Sequence, residues 1–460
     1  MSTPAKIRNG AAAAVALACC LAAVIAVASG ALGGQFQAIG NRDAPTVDST
    51  TGLYFSLNDM DAQVANVLLV GGDAALATDR SQDLAIYGRD RATADADLTQ
   101  ALATSGGNAA AQRELRSVLD GVGQYEALAA DALLTDQQGR SSVGRAPAPS
   151  LAYYQQATDL MRTTILPSVS SLTSVSAARL DASYSDGTST AWTAAGVVIA
   201  AGVALIAILV GLQLYLSARF RRLVTPALAA ATLVAAALVI TAATRLSTEA
   251  GHLKVAKQDA FDSILALTQA RAVSYDANAD ESRYLVDPVR AAQYQQAFLA
   301  KSQQLADVGN VGIFGYDAAL GGDIRAYDAD NNDVRFGGYL GAEFRNITFP
   351  GERAAAVRTL LAYQVYERDD RKLRAMAKTD LAAAVAYDIG TASGQSDSAF
   401  NQYDADLSSV IAINSAAFTD AIQAGQGDTA PWNLAFPVAG AALLAALVLA
   451  GVRPRLAEYH

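Results

Sequence analysis

The sequence predicts an all-α membrane protein, with four transmembrane helices carrying two exterior antiparallel helical-bundle domains. Three observations predict it. The chain is 52% apolar and only 17% charged. Its apolar residues gather in four uncharged blocks separated by two long acidic stretches. Within those stretches apolar residues recur every three or four positions, the spacing of one helix face. A large soluble enzyme spreads its apolar residues more evenly.

Residues 1–10 form a short amino-terminal segment with Lys6 and Arg8, and the first span covers 11–33 (AAAAVALACCLAAVIAVASGALG). No charge falls between Arg8 and Arg42. Cleavage after Ala28, behind an AVA pattern, is the alternative, and it leaves three spans. Residues 34–190 form the first exterior domain, and the second span covers 191–216 (AWTAAGVVIAAGVALIAILVGLQLYL). A basic loop, 217–222, leads to the third span at 223–244, which is alanine-rich but holds Leu228, Leu233, Val234, Leu238, Val239 and Ile240. The second exterior domain is 245–430, the fourth span 431–451 and the tail 452–460. About 20 helical residues cross a hydrocarbon core about 30 Å thick, so each block is long enough.

Orientation follows from the basic residues. Lys6 and Arg8, then Arg219, Arg221 and Arg222 in the central loop, then Arg453 and Arg455 in the tail fall on one side of an even number of spans. Short loops rich in Lys and Arg stay in the cytoplasm, so both long stretches lie outside the plasma membrane. The formal net charge is −10, and the exterior stretches hold 10 Lys+Arg against 18 Asp+Glu and 17 against 25. An acidic exterior argues against nucleic acid as a partner. The span–domain–span plan occurs twice, which suggests an ancestral duplication.

The exterior helices show their faces. Leu115, Val118, Val122, Tyr125 and Leu128 form one; Tyr154, Ala157, Met161, Thr164 and Ile165 another. In the second stretch Phe261, Ile264, Leu265, Thr268, Ala272 and Tyr275 line up, as do Leu407, Val410, Ile411, Asn414, Ala417, Phe418 and Ile422. Loops are expected at 136–150 and 307–350; in the second, aromatic residues argue for packing with short helical turns or a small hairpin. Gly425, Gly427 and Pro431 are expected to interrupt the last helical connection.

Several chemistries are excluded. The two cysteines, Cys19 and Cys20, lie within the first span, so neither disulfides nor cysteine-based metal sites serve the exterior. The histidines are His252, read as an interfacial polar group, and His460. No metal cluster, cofactor or histidine-assisted nucleophile follows from them, and no phosphate-binding glycine motif is present. The segment 328–339 has Asp328, Asp330 and Asn332 at calcium-loop positions, but Asp333 and Tyr339 replace the required glycine and glutamate. The spans hold no Asp, Glu, Lys, Arg or His, with Gln213 and Tyr215 as mild polar exceptions, which argues against ion-coupled transport. Gly196, Gly202 and Gly440 permit close helix contact within the four-span unit or in a homodimer. The cytoplasmic segments are too short to fold into a catalytic domain, so the chain is expected to be no enzyme.

Contact residues for a ligand or partner are expected in two charged segments. ARAVSYDANADESRYLVD (270–287) supplies Asp276, Asp280, Glu281 and Arg283. The segment 349–376 supplies Arg353 and Arg358, whose planar forks suit a carboxylate. The bland alternative is a solvated helix face laced with pairs such as Glu367–Arg371. Arg219, Arg221 and Arg222 are the cytoplasmic contact candidates.

With those segments, QYEALAADALLTDQQGRSSVGRAPAPSLAYYQQATDLMRTTILP and GGYLGAEFRNITFPGERAAAVRTLLAYQVYERDDRKLRAM make the chain resemble an actinobacterial family of four-span sensors, the GlnX type. That resemblance implies a non-enzymatic signal transducer. A glutamine-binding lipoprotein would dock outside, and a soluble serine/threonine kinase would respond inside. Two other readings stay open: a direct small-solute receptor in its helical bundle, and a structural subunit of an envelope complex.

Overall fold

The computed structural model describes residues 3–105, 108–139, 141–220 and 225–457. Among the described residues every regular element is helical and no strand occurs. Four helices are long and apolar enough to cross a membrane, as the uncharged blocks required. In chain order the helices are α1 (Thr3–Ala38), α2 (Ala44–Val70), α3 (Ala77–Thr104), α4 (Ala109–Gly139), α5 (Ala148–Leu160), α6 (Leu166–Phe220) and α7 (Pro226–Lys254). Then follow α8 (Asp262–Val286), α9 (Ala291–Leu305), α10 (Ile313–Ala329), α11 (Gly338–Asn346), α12 (Glu352–Ala377), α13 (Leu381–Asp388), α14 (Ser396–Thr429) and α15 (Ala435–Leu456).

The chain divides into two compact units. The first comprises Met1–Asn41, Leu180–Lys257 and Phe418–His460. Its core is built from Ala14, Ala18 and Leu21 on α1, Val198 and Leu205 on α6, Ala231 and Ala235 on α7, and Leu444 on α15. Small residues bring these helices close, as association in lipid favours. A Cβ on Gly202 would fall 2.2 Å from Val239, and one on Gly440 would fall 3.1 Å from Leu238, whereas Gly196 faces open space. Outward-facing apolar residues are strongly exposed: Leu233 is 73% exposed, Val27 72% and Val203 60%. Such a surface suits lipid rather than water. Lys257 pairs with Asp181 at 2.7 Å and Arg245 with Asp428 at 2.9 Å, and His252 Nε2 lies 3.6 Å from the same Asp428.

The second unit comprises Arg42–Arg179 and Gln258–Ala417. The sequence placed these stretches in separate domains, 34–190 and 245–430; in the structure they share one unit. The physical reason is a common core: Leu285 and Val286 of α8, Leu373 of α12 and Ala384 and Val385 of α13 join Leu57, Leu68, Tyr125 and Tyr154 of the first stretch. A second cluster, with Phe298, Tyr316, Phe336, Leu360 and Tyr403, belongs to the later stretch alone.

Two expectations change in detail. The stretch 307–350 is neither open loop nor hairpin: it holds α10 and α11, and Tyr316, Tyr327, Phe336 and Phe344 are buried while Phe314 is exposed. Gly425 and Gly427 do not interrupt their helix. Helix α14 runs through both to Thr429, and Gly425 provides the space occupied by the Phe36 ring. The break comes at Pro431, in a 3-10 turn at Ala430–Trp432. The helical path also contains π-helical turns at Ile39–Asp43, Met161–Ile165 and Val255–Phe261.

Candidate functional site

Helices α2 and α8 pack on one another and are buried almost all round over their last four turns. A helix so embedded is usually apolar throughout. These two instead carry Asn58, Asp59, Asp61, Gln63 and Asn66 on α2, and Asp276, Asp280, Glu281, Ser282 and Arg283 on α8. Burial of so many polar groups is tolerable only if they find partners.

Arg283 is fully buried and answers three carboxylates. Its Nη2 lies 2.6 Å from Asp61 Oδ2, and its Nη1 lies 2.9 Å from Asp276 Oδ1 and 2.7 Å from Asp280 Oδ1. Lys301 on α9 approaches the same acids, with Nζ 2.7 Å from Asp276 Oδ2 and 2.5 Å from Asp280 Oδ2. Thr158 Oγ1 donates to Asp61 Oδ2 at 2.7 Å. Around Glu281, Tyr366 Oη donates at 3.1 Å and Asn278 Nδ2 at 3.3 Å to the same oxygen. Arg374, 1% exposed, pairs with Asp370 at 2.6 Å and stands over the Tyr284 ring at 4.5 Å.

The structure therefore brings Asp276, Asp280 and Arg283 into one ion network and sets Glu281 beside it, but encloses all four. Arg283 and Lys301 tie these acids together, so the network pins α2 to α8 and α9, while Glu281 Oε1 has no partner among the described residues. Arg353 and Arg358 lie elsewhere, on α12. Arg353 Nη1 donates to Tyr327 Oη at 2.5 Å, and Arg358 is mostly exposed, 3.5 Å from Asp406. Of the cytoplasmic candidates, Arg219 falls in the last turn of α6, and Arg221 and Arg222 lie outside the described residues. At the calcium-like segment Asp333 is occupied by Arg335 at 2.5 Å, and no metal-holding group occurs among the described residues.

Beside this network a cleft of about 100 Å³ opens between α2, α3, α8 and α14. Asp59, Gln63 and Asn66 recur on one face of α2, and Asp79, Asp83 and Ile86 on one face of α3. Helix α3 is set in place by a tight turn: Gly71 adopts φ 58° at the end of α2, and Asp73 Oδ1 accepts from the Ala75 amide at 2.7 Å. Tyr275, Asn278, Asp397 and Phe400 complete the walls, with the two rings 4.7 Å apart in an edge contact. Among the described residues no Lys or Arg lines the cleft. Two cations beside it have acid partners of their own: Arg80 pairs with Asp136 at 2.9 Å, and Arg271, which also stands 5.7 Å from the Tyr275 ring centroid, pairs with Asp404 at 2.6 Å.

Uncompensated acids hold on to protons. Burial pushes Asp83 up to about 7, helped by Asp79, Asp59 and Asp388 and opposed by Arg80. Burial and the adjacent Asp59 push Asp90 up to about 8. Burial raises Asp388 to about 7, against the hydrogen bond from Ser282. Sequence reading missed the cleft, and also Asp61, Lys301 and Arg374. The recurrence of Asp59, Gln63 and Asn66 at helical spacing was the available signal, but it looks like an ordinary solvated face.

No curated protein and no solved structure matches the chain. Residues 35–185 match the family model of the actinobacterial sensor domain, and that match supports an actinobacterial sensor family.

Proposed function

We propose that the chain is a transmembrane sensor that exposes its second unit outside the cell and passes a signal to a partner at the inner surface. The observation that carries this reading is the position of the sensor-domain match. It spans residues 35–185, beginning as the apolar part of α1 ends and stopping just before the apolar part of α6. A sensing segment held between two membrane helices is the plan of a receptor whose ligand and response lie on opposite sides. The basic segments around Lys6 and Arg8, Arg219, and Arg453 and Arg455 favour the cytoplasmic side for the helix ends.

In its finer form the reading follows the family resemblance. A glutamine-type signal arrives through a solute-binding lipoprotein, and a soluble serine/threonine kinase responds inside. The chain itself performs no catalysis in this scheme. The test is affinity purification of the full chain from detergent-solubilised membranes with and without glutamine. Recovery of a solute-binding lipoprotein and a kinase, altered by glutamine, is expected; identical partner sets lacking both would contradict it. The cleft favours a second reading, direct binding of a solute by the helical unit.

A further inference from the structure

We infer that the cleft between α2, α3, α8 and α14 is a binding site for a small organic ammonium ion. As a sensing event this rests on the sensor reading above; as a binding event it stands on the geometry alone.

Four acids, Asp59, Asp79, Asp83 and Asp397, line the cleft without a lining base among the described residues. Acids by themselves define no site. The independent observation is Gln63, which is only 8% exposed. Its Nε2 is committed to Asp59 Oδ1 at 2.8 Å, so the amide orientation is fixed and Oε1 is left as an acceptor with no partner among the described residues. Asp83, also 8% exposed, has a similarly unpartnered Oδ2. A buried acceptor without a donor is costly, and a ligand N–H would relieve that cost.

The other walls narrow the ligand class. Tyr275 and Phe400 bring aromatic surface to the cleft, and aromatic rings attract cations: the Arg271 guanidinium already stands 5.7 Å from the Tyr275 ring centroid. Ile86 and Ile389 offer apolar contact for a short alkyl chain. Since one water needs roughly 10–15 Å³ of such space, the cleft admits a short run of heavy atoms. A bare divalent ion fits poorly, because no group of three acids stands close enough to ligate a metal among the described residues. A zwitterionic amino acid fits poorly too, because no Lys or Arg lines the cleft among the described residues to pair with its carboxylate.

Occupancy is tied to protons. Asp83 faces Asp79 and Arg80 on its own helix, Asp59 on α2 and Asp388 at the end of α13, and Asp397 on α14 senses its charge. Asp90, one turn beyond Ile86, shares a hydrogen bond with Asp59. Asp83, pushed up to about 7, and Asp90, pushed up to about 8, retain protons in part at neutral pH, so an ammonium ion that binds beside them displaces protons. An alkylamine stays protonated to about pH 10, so affinity rises as the pH goes from about 6 to 8.

The experiment is titration calorimetry of the full chain in detergent with 1,4-diaminobutane and butylammonium, using glutamine and magnesium as comparators. Expected are a Kd of about 1 mM or tighter, proton release in buffers of different ionisation heat, and about tenfold weakening in Asp83→Asn and in Asp397→Asn. Asparagine imitates the protonated acid, so these variants keep the fold, which circular dichroism checks. Either variant that folds suffices for the comparison. No amine binding at roughly 10 mM, equal binding by the folded variants, or a preference for magnesium or glutamine would overturn the inference. None of these results touches the lipoprotein and kinase recovery, so the two proposals fail separately.

Discussion

At the residue scale, the second unit is governed by where charge is balanced and where it is not. Arg283 and Lys301 are saturated by three acids, whereas Asp83, 8% exposed, has no cation of its own. The difference sets a pH dependence whose sign is fixed by linkage. Burial raises Asp83 from the ordinary carboxylate range to about 7 in the fold, so the folded state binds its proton more tightly than the unfolded chain does. The stability this contributes is complete below about pH 4 and is lost as the pH rises through about 7. Asp388, also near 7, and Asp90, near 8, act in the same direction. Thermal unfolding of the full chain is therefore expected to move to lower temperature from pH 5 to pH 8, with a shallower decline in Asp83→Asn. An unchanged slope in that variant would remove Asp83 from the account. None of this was legible in the sequence, because the character of Asp83 depends on Asp59 and Asp388, which come from other helices.

Among the elements, legibility followed solvent contrast. The four apolar helices were legible because an uncharged run of twenty residues has few alternatives. The faces on α4 and α14 were legible too: Leu115, Val118 and Tyr125, and Leu407, Val410 and Asn414 are buried as their spacing required. Helices α2 and α8 broke the rule. The face read from Phe261 to Tyr275 is only partly enclosed, while Ser274, Ala277 and Asp280 are buried on other sides, because α8 is surrounded. Its ionic partner Asp61 lies far away in sequence, and one sequence cannot reveal that pairing. Since Arg283 joins α2 to α8, Arg283→Met leaves Asp61, Asp276 and Asp280 short of a cation. It is expected to cost about 3–5 kcal/mol in denaturant unfolding, more than a surface control such as Arg358→Met at about 0–1 kcal/mol. Equal losses in the two variants would mean that the network does not anchor these helices.

For the whole molecule, the two stretches expected as separate domains fold around one core because their most buried helices answer each other's charges. The sensor-domain match covers only the first stretch, yet Arg283, Lys301, Tyr275 and Asp397 come from the second. Both stretches must therefore be present for the cleft and the network to exist. The proposed receptor also requires that this unit and the central basic loop lie on opposite sides of a membrane. Cysteine labelling tests that most directly, because Cys19 and Cys20 can be replaced by alanine to leave a silent background. An impermeant maleimide applied to intact cells is predicted to label Ser81→Cys and Asn332→Cys, and to label Ala218→Cys only after permeabilisation. Labelling of Ala218→Cys in intact cells, with protection of the other two, would contradict the account.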